Sequence, residues 1–564
     1  LYFLNKIQVP KINQAMIIGN IINTCFDELI QNINTDFEQI YDKSVKHNSL
    51  MLLLQAIKEP KSIQYIKDTA KNQYENLKSI IPKLYFDETH IEPTFISPKY
   101  GIQGRLDAMF TFFENNKIDI LELKSGNSPN KNLKFKNYSG KNVYSNIWYE
   151  HFAQTTCYNM LLESTFDNRT GVTYVLYSKD KNNPLRNAAN TRYMKPEVIN
   201  TRNWILYYDH LIRTKKFKFF LNIDKFLDEN IPIFVRNQIL DFLFYMKKDK
   251  LTLKYFFTYY YFIHQEIFNT KINFSKLWME SVDEKRLAYS ITTDLKIKID
   301  ESDSLNAHYK FQAADNIEQT SFRQGDFVIV YSISSDEISD LTKNQLLKGV
   351  IKNIQKDQLI ISFRNKQLKS KFLSEDKNWV VELDSNDSLY KNLIYSISSI
   401  LNAYEHYKNV LFGTTPPEQL SHQIIQFNDL NQSQNTAVNL ALNAKDYLLI
   451  QGPPGTGKTS RVLKTIVEQL HLRHKKILVL AYTNRAVDEI ISALKSIQPK
   501  INILRTGATE SSVHTDVLIS NLTETIGMNN LYRKIKDTDV IVSTVASILT
   551  HPEILEVKEL DYAI

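Results

Sequence analysis

Three charged side chains sit in two short apolar segments of the first third of the chain. Asp107 lies in Gly104-Arg105-Leu106-Asp107-Ala108, and Glu122 and Lys124 lie in Ile120-Leu121-Glu122-Leu123-Lys124. Two carboxylates held together repel unless a cation joins them, and hard oxygen donors suit Mg²⁺ or Mn²⁺, with the Leu123 carbonyl completing the set. Such a metal generates hydroxide and stabilises a leaving phosphate, while Lys124 orients water and neutralises charge; that is phosphodiester hydrolysis. A hairpin would position the three groups. Asn115-Asn116 tolerates the positive φ of a two-residue turn. Pairing Glu114 with Lys117 places Asp107 opposite Lys124, with Glu122 two residues away on the same face. Leu106, Ala108, Leu121 and Leu123 then turn to the core, and a slip of one residue would break the arrangement.

The same three residue types also make ordinary surface ion clusters. Three neighbours favour a site. Gly101 and Gly104 let another backbone approach. Lys131, Lys134, Lys136 and Lys141 suit phosphates. His151, Gln154 and Tyr158 form one polar stripe on the next helix.

A second chemistry is written in Gly452-Pro453-Pro454-Gly455-Thr456-Gly457-Lys458-Thr459, which fits the eight-position phosphate-loop pattern in full. An apolar strand over 447–450 is expected before it and a helix over 460–470 after it. Backbone N–H groups and the helix N-terminus would hold the phosphates, Lys458 would reach the β and γ phosphates, and the Thr459 hydroxyl would ligate magnesium. Ser460 stands where a dinucleotide fold needs its third glycine. Gln434 could read the adenine edge. Strands over 476–481 and 539–543 are apolar runs of the kind buried on both faces. The polar segments that end them, Tyr482-Thr483-Asn484-Arg485 and Thr544 with Ser547, are expected to face nucleotide or polymer.

Only 14 glycines occur in 564 residues, well under the usual ~7%, so their gathering at these two places reports backbone geometry. Length implies roughly three to five domains. A formal charge of +7 allows a nucleic-acid groove but excludes binding by a polybasic tail alone. With 43% apolar residues the chain can bury a large core. Two cysteines, Cys25 and Cys157, cannot make a disulfide framework or a four-thiolate cluster, and a reducing compartment is the natural reading. No stretch reaches the ~18–20 apolar residues of a membrane span. The chain begins at Leu1 without a signal-peptide pattern, and reads as a piece of a longer protein.

Helical spacing runs over 11–72, alternation over 91–123, a helix over 149–162 and a strand over 171–177. Aromatic helices fill 202–290, and 255–263 reads as helix core rather than a base-stacking platform. Short strands at 327–331, 349–354, 359–363 and 379–383 suggest a small barrel. A helix follows, capped by Asp387 or Ser388, with Leu389, Leu393, Ile397, Ile400 and Tyr404 in one stripe. From about 430 the pattern is that of a parallel α/β sheet.

Gln434, the phosphate loop, 481–490, 503–507 and 540–547 together resemble successive motifs of superfamily 1 helicases, most closely the subgroup moving 5′ to 3′. In that family an Asp-Glu pair follows a segment like Asp561-Tyr562-Ala563-Ile564, so the resemblance implies a motor cut short. Residues 91–177 resemble a RecB-type nuclease of the PD-(D/E)XK class. With 97–108, 121–126 and the Gln154/Tyr158 helix, the order of parts resembles the bifunctional nuclease–helicases of flap processing and end resection. The resemblance implies Glu92 as a further metal ligand and Gln154 and Tyr158 as lining the site. It also implies an iron–sulfur cluster in most members; the missing cysteines predict none here.

The fold expected is therefore multidomain α/β. A PD-(D/E)XK nuclease with helical additions spans 1–310 (core about 85–180) and a small β-barrel 311–385. A stalk helix and linker span 386–420, and the first part of a RecA-like motor 421–564. The expected activity is metal-dependent single-strand DNA cutting joined to ATP-driven translocation. Mg²⁺ or Mn²⁺, ATP, and single-stranded or flapped DNA are implied, with a single-strand-binding protein as a candidate partner and no membrane. The location would be cytoplasmic in a prokaryote and nuclear in a eukaryote. Three alternatives stay open: a helicase with a decayed nuclease, a nuclease–helicase of anti-phage defence, and a non-enzymatic single-strand-binding scaffold.

Overall fold

The computed structural model describes residues 2–7, 12–114, 117–136, 142–189, 193–227, 231, 233–300, 307–313, 317, 320–333, 340–367, 372–374, 377–384, 388–420, 424–507, 509 and 512–564. Asn115, Asn116, Lys141 and Asp387 lie outside them, as does the side chain of Lys136.

The N-terminal helical spacing folds as α1 (Tyr2–Ile7), α2 (Gln14–Gln31), α3 (Phe37–His47), α4 (Ser49–Lys58) and α5 (Ser62–Ile80). Asn13 and Asp36 cap α2 and α3 by accepting from the Met16 and Glu38 N–H groups, which satisfies donors the first turn leaves orphaned. The α2 stripe Ile17, Ile21, Cys25 and Leu29 is fully buried and packs with Tyr74 and Leu77 of α5.

Next come β1 (Glu88–Ile91), β2 (Thr94–Ser97), β3 (Ile102–Arg105), β4 (Ala108–Phe112) and β5 (Lys117–Lys124). A ribbon of β6 (Leu133–Lys136) and β7 (Asn142–Ser145) leads to α6 (Tyr149–Thr165), β8 (Thr173–Tyr177) and β9 (Leu185–Asn187). The main sheet has the order β1-β4-β5-β8-β9, with β5 and β8 parallel. Helices cover both faces. Ala108, Phe110, Leu121 and Leu123 meet α2 and α5, whereas Met109, Ile118 and Ile120 meet Tyr158, Leu161 and Leu162 of α6. Leu106 lies on the α6 side, not with Ala108 and Leu121 as a one-sided core would require.

The hairpin register also differs from expectation. Phe112 pairs with Lys117 and Ala108 with Leu121, so the connection is longer than two residues and Asp107 falls opposite Glu122 instead of Lys124. The Lys117 ammonium sits 4.2 Å from the Phe112 ring centroid across the ladder, a contact that favours this register. The offset from the expected pairing is two residues, so Asp107, Glu122 and Lys124 keep a common face.

The helices α7 (Lys195–Arg213), α8 (Lys218–Leu221), α9 (Ile233–Tyr245), α10 (Lys250–Met279) and α11 (Val282–Leu287) follow. Phe256, Tyr260 and Ile263 of α10 are buried, as helix core requires. The barrel is closed by six strands in the order β10-β11-β14-β13-β12-β15. They are β10 (Ile291–Asp300), β11 (Ala307–Gln312), β12 (Phe327–Ile333), β13 (Leu347–Gln355), β14 (Gln358–Phe363) and β15 (Asn378–Leu383). It therefore begins at Ile291, ahead of the boundary expected at 311, because β10 and β11 are needed to close it. α12 (Ser388–Ser398) ends before Tyr404, which is 79% exposed, so the stripe stops at Ile400. The helix α13 (Glu405–Leu411) completes this part.

The last region contains α14 (Gln432–Asn443), α15 (Lys464–Leu472), β16 (Ile477–Ala481), α16 (Asn484–Leu494), β17 (Ile503–Arg505), β18 (Val540–Thr544) and β19 (Tyr562–Ala563). Its four strands run parallel in the order β17-β18-β16-β19. One face packs on α14, α15 and α16. The other packs on Leu50, Leu53 and Leu54 of α4, so an N-terminal helix belongs to the C-terminal core. The strand expected at 447–450 does not form: the segment pairs with neither outer strand of the sheet, and Leu449 is 85% exposed.

Gly104 brings β3 close to α6; a Cβ there would lie 2.9 Å from Leu161 Cδ1 and 3.6 Å from the Tyr158 ring. Gly104→Val is expected to cost on the order of 1–3 kcal/mol, read as an earlier urea transition of the N-terminal region by tryptophan fluorescence.

Candidate functional site

β4 begins at Ala108, so Asp107 lies just outside the ladder and its side chain takes a strand's place. Its Oδ2 accepts the Leu123 N–H at 2.7 Å. Even-numbered residues of β5 point their backbone groups to the β8 side, as Ile120 N–H to Val172 and the Lys124 carbonyl to Ser178 show. The Leu123 carbonyl therefore opens on the Asp107 side, where no strand uses it.

Glu122 is buried at 2% exposure. Its Oε1 accepts from Lys124 Nζ at 2.6 Å; the same ammonium donates to Gln154 Oε1 at 2.9 Å, and Gln154 Nε2 donates to the Tyr158 hydroxyl at 2.7 Å. Two strands and one helix thus bring together Asp107, Glu122, Lys124, Gln154 and Tyr158. Glu122 Oε2 is buried without a hydrogen-bond partner. Burial and then the Glu122 carboxylate push Asp107 up to about 8, against the pull of the Leu123 N–H and Lys124. The Tyr158 hydroxyl is held protonated by burial and by Glu122 and Asp107. A buried pair of carboxyl groups that must keep a proton in place of a second positive charge fits a divalent cation.

Not every expected residue joins this group. His151 turns away to the Tyr177 hydroxyl at 2.9 Å and is lowered to about 4 by burial and Lys124. Glu92 has φ +50° and donates its N–H to the Asp107 carbonyl at 3.1 Å. Its carboxylate is taken by Arg105 at 3.3 Å and Arg364 at 3.0 Å, so a ligand role would need an arginine to leave. Among the described residues no three His, Cys, Asp or Glu side chains form a ready metal cage; the donor set is two carboxylates plus a carbonyl.

Four participants escaped the sequence reading. Asp27 of α2 is buried and raised well above the carboxylate range by desolvation, then by Glu92; Asp107 adds to the shift and Asn365 opposes it with a hydrogen bond at 3.1 Å. Just past β14, Arg364 binds Glu92, and Gln367 pairs with the N–H and carbonyl of Ile91 at 3.0 and 2.8 Å. An acid in a mostly apolar helix marked Asp27; Arg364, Asn365 and Gln367 carried no signal, being ordinary polar residues after a strand.

In the C-terminal region Gly455 and Gly457 have φ of +79° and +75°, where a side chain is strained. Residues 458–463 form a π-turn that continues as α15. Lys458 donates to the Gly452 and Pro453 carbonyls, contacts a phosphate would replace. Thr456 Oγ donates to the Pro453 carbonyl at 2.8 Å, and Pro454 and Thr459 complete the loop. Gln434 lies against the loop, donating to the Thr456 carbonyl at 3.0 Å, while its Oε1 accepts the Asn431 N–H; its amide is committed to the loop and the helix cap. A cavity of about 1180 Å³ opens beside Gly455–Ser460, bordered by Arg485, Asp488 and the barrel's Arg323. Arg505, fully buried, pairs with Asp488. Thr544, expected to face ligand, is instead buried and caps the helix Val545–Thr550, while the half-buried Ser547 donates to Thr506.

Residues 429–544 match a family described as an AAA domain. An ATP-dependent helicase of Methanocaldococcus jannaschii is 28% identical over 159 residues, covering 28% of this chain and 24% of that protein. The DNA polymerase alpha-associated DNA helicase A of Schizosaccharomyces pombe is 31% identical over 202 residues, 33% and 29% of the two chains. The DNA replication ATP-dependent helicase/nuclease DNA2 of Saccharomyces cerevisiae is 35% identical over 137 residues, 24% and 9%. The chain spans less than a third of each relative's length. Its C-terminal region is thus an AAA-type domain of the kind that ATP-dependent helicases carry. No helix among the described residues is long and apolar enough to cross a membrane.

Asp107 keeps its proton to about pH 8 in the fold, against 3.8 when unfolded. The folded state therefore binds the extra proton between those values, and stability falls as pH rises across that window. In EDTA the melting temperature is expected to drop from pH 6 to pH 9 by ~5–10 °C, the size of a ~2–3 kcal/mol loss in a large domain. Asp107→Asn should flatten this drop, and Mg²⁺ or Mn²⁺ should restore the wild type at pH 9 more than at pH 6.

Proposed function

We propose that the chain is a metal-dependent single-strand DNA nuclease joined to an ATP-dependent superfamily 1 DNA helicase or translocase, acting on flaps or resected ends. The observation that carries the reading is the buried Asp107–Glu122 pair, with Glu122 Oε2 unpartnered and Glu122 Oε1 tied through Lys124 to Gln154 and Tyr158. The yeast relative, named a helicase/nuclease of DNA replication, supports the combination.

Asp107, Glu122 and the Leu123 carbonyl would hold Mg²⁺ or Mn²⁺. Bound there, the ion supplies Lewis-acid polarisation of a phosphate and acidifies a water. The chain's own groups do the rest. Lys124, fixed between Glu122 and Gln154, orients the attacking water and offsets the charge gathering on the phosphate. Tyr158 holds the Gln154 amide so that its oxygen faces Lys124. The neutral carboxyl of Asp107 must give up its proton before it can ligate, which favours activity on the alkaline side of neutrality. At the motor, Gly452–Thr459 would wrap the phosphates of ATP, with Lys458 exchanging backbone carbonyls for phosphate oxygens and Thr459 available to its magnesium.

A motor-only helicase is the second reading. It is favoured by the family match, which is confined to 429–544, and by the fission-yeast relative, which is named a helicase alone.

End-labelled single-stranded and 5′-flap DNA separate the two. Cutting is expected with Mg²⁺ or Mn²⁺, none with EDTA, and a loss of at least ~100-fold in Glu122→Ala or Lys124→Ala, the scale set by charged groups at a reacting phosphate. Absent cutting by a wild type that still binds DNA would move the assignment to the motor-only reading. Lys458→Ala should abolish binding of a fluorescent ATP analogue while leaving cutting intact.

A further inference from the structure

The parallel strands β5 and β8 end side by side. Ser178 N–H donates to the Lys124 carbonyl at 3.0 Å, so the segments 125–132 and 178–184 leave the sheet together beside the candidate metal site. Between them lies a groove of about 870 Å³. Ligands of parallel sheets gather at such carboxyl ends.

The floor of this groove is built and electrically closed. Arg186, only 7% exposed, donates to the carbonyls of Pro129 and Asn146 at 3.0 and 2.5 Å. It also donates to the Ser128 hydroxyl at 2.8 Å and to Asp180 at 2.7 Å. Burial alone would raise the Asp180 carboxyl; the Ser128 hydroxyl, the Asn183 N–H and Arg186 outweigh it and hold it at about 2. Asp180 and Arg186 therefore cancel each other. On the rim, Lys131, Lys179 and Lys181 are exposed, and among the described residues no acid pairs with them. One wall is Trp148, 36% exposed, its ring fixed by an N–H donated to the Asn127 carbonyl at 2.7 Å. Most of the remaining lining is asparagine. The ribbon β6–β7 leaves the rim at Leu133 and sets Lys134 opposite Tyr144, which is 62% exposed.

Uncompensated lysines, a fixed aromatic face and amides over a neutral floor match one ligand chemistry. Phosphates take the lysines, a base stacks on the indole, and amides meet base edges. A duplex hides its base faces, and an acidic peptide would leave the indole and amides unused. We propose that this groove binds single-stranded nucleic acid on one side of the phosphate to be cut, and so sets where the strand is cut. The cutting part rests on the nuclease reading; the binding part does not.

The test uses the 564-residue chain in EDTA with fluorescein-labelled dT20 and rU20, read by anisotropy across a salt series. Each phosphate contact on a single strand contributes about 0.7 to the slope of log affinity against log salt. Lys131→Gln, Lys179→Gln and Lys181→Gln combined should lower that slope by about 2 and weaken binding roughly 10- to 100-fold at 0.1 M salt. Trp148→Ala should weaken binding roughly 5- to 100-fold with the slope unchanged. Both variants should keep the wild-type melting temperature, and with Mn²⁺ both should shift the product lengths. Unchanged affinity and slope in the triple variant, or a wild type that binds neither oligonucleotide, overturns the groove. Loss of binding in the variants while the wild type never cuts would sink the nuclease and leave the groove standing. Comparing dT20 with rU20 tells which nucleic acid it prefers.

Discussion

Two carboxylates buried side by side cannot both stay ionised unless positive charge joins them, and the N-terminal half of the protein is organised around that constraint. Asp107 and Glu122 meet because β4 begins one residue after Asp107, which leaves the Asp107 side chain free to cap the Leu123 N–H. Burial and mutual repulsion leave Asp107 holding a proton to about pH 8, while Glu122 leans on Lys124. The pair is thus held with a proton in place of a second positive charge. A carboxylate pair on the surface would be screened by water and would not need this support.

The support comes from distant parts of the chain. Helix α6 supplies Gln154 and Tyr158, and Gly104 lets it lie close to β3. Helix α2 supplies Asp27, and the barrel supplies Arg364, Asn365 and Gln367, whose side chains reach Glu92, Asp27 and the backbone of Ile91. These cations and amides offset an accumulation of acids that would otherwise oppose folding. Helix α4, two short turns of chain beyond α2, buries Leu50, Leu53 and Leu54 in the parallel sheet of the AAA-type domain. The acidic site and the nucleotide loop are therefore joined through continuous packing. Packing alone is not coupling, which requires an element with two arrangements that both sites bias.

The nucleotide loop shows the opposite balance. Its glycines hold a conformation that side chains would strain, and its lysine spends its charge on the loop's own carbonyls. Behind it, polar residues at the strand ends satisfy one another: Thr506 with Ser543 and Ser547, and Arg505 with Asp488. This internal network fixes the sheet's carboxyl edge and leaves Tyr482, 89% exposed, and Arg485, paired with Glu489 at 3.3 Å, on the surface beyond it.

Local rules made much of this legible in the sequence. Periodicity marked α2 to α6 and the buried strands β16 and β18, and glycine positions marked the phosphate loop. Alternation put Asp107, Glu122 and Lys124 on one face, a result that survived a two-residue error in register because a strand's faces repeat every two residues. The strand expected at 447–450 failed because an apolar run becomes a strand only where the fold lays it alongside a partner, and this run pairs with neither outer strand of the sheet. The barrel's first two strands were missed because closure is a property of six strands together and not of any one. Tertiary structure alone decided that Glu92 would be spent on two arginines and that Thr544 would turn inward. It also decided that Asp27, Arg364, Asn365 and Gln367 would reach the site. Those contacts join residues hundreds of positions apart, and a linear pattern records which side chains are available but not which of them burial brings within reach.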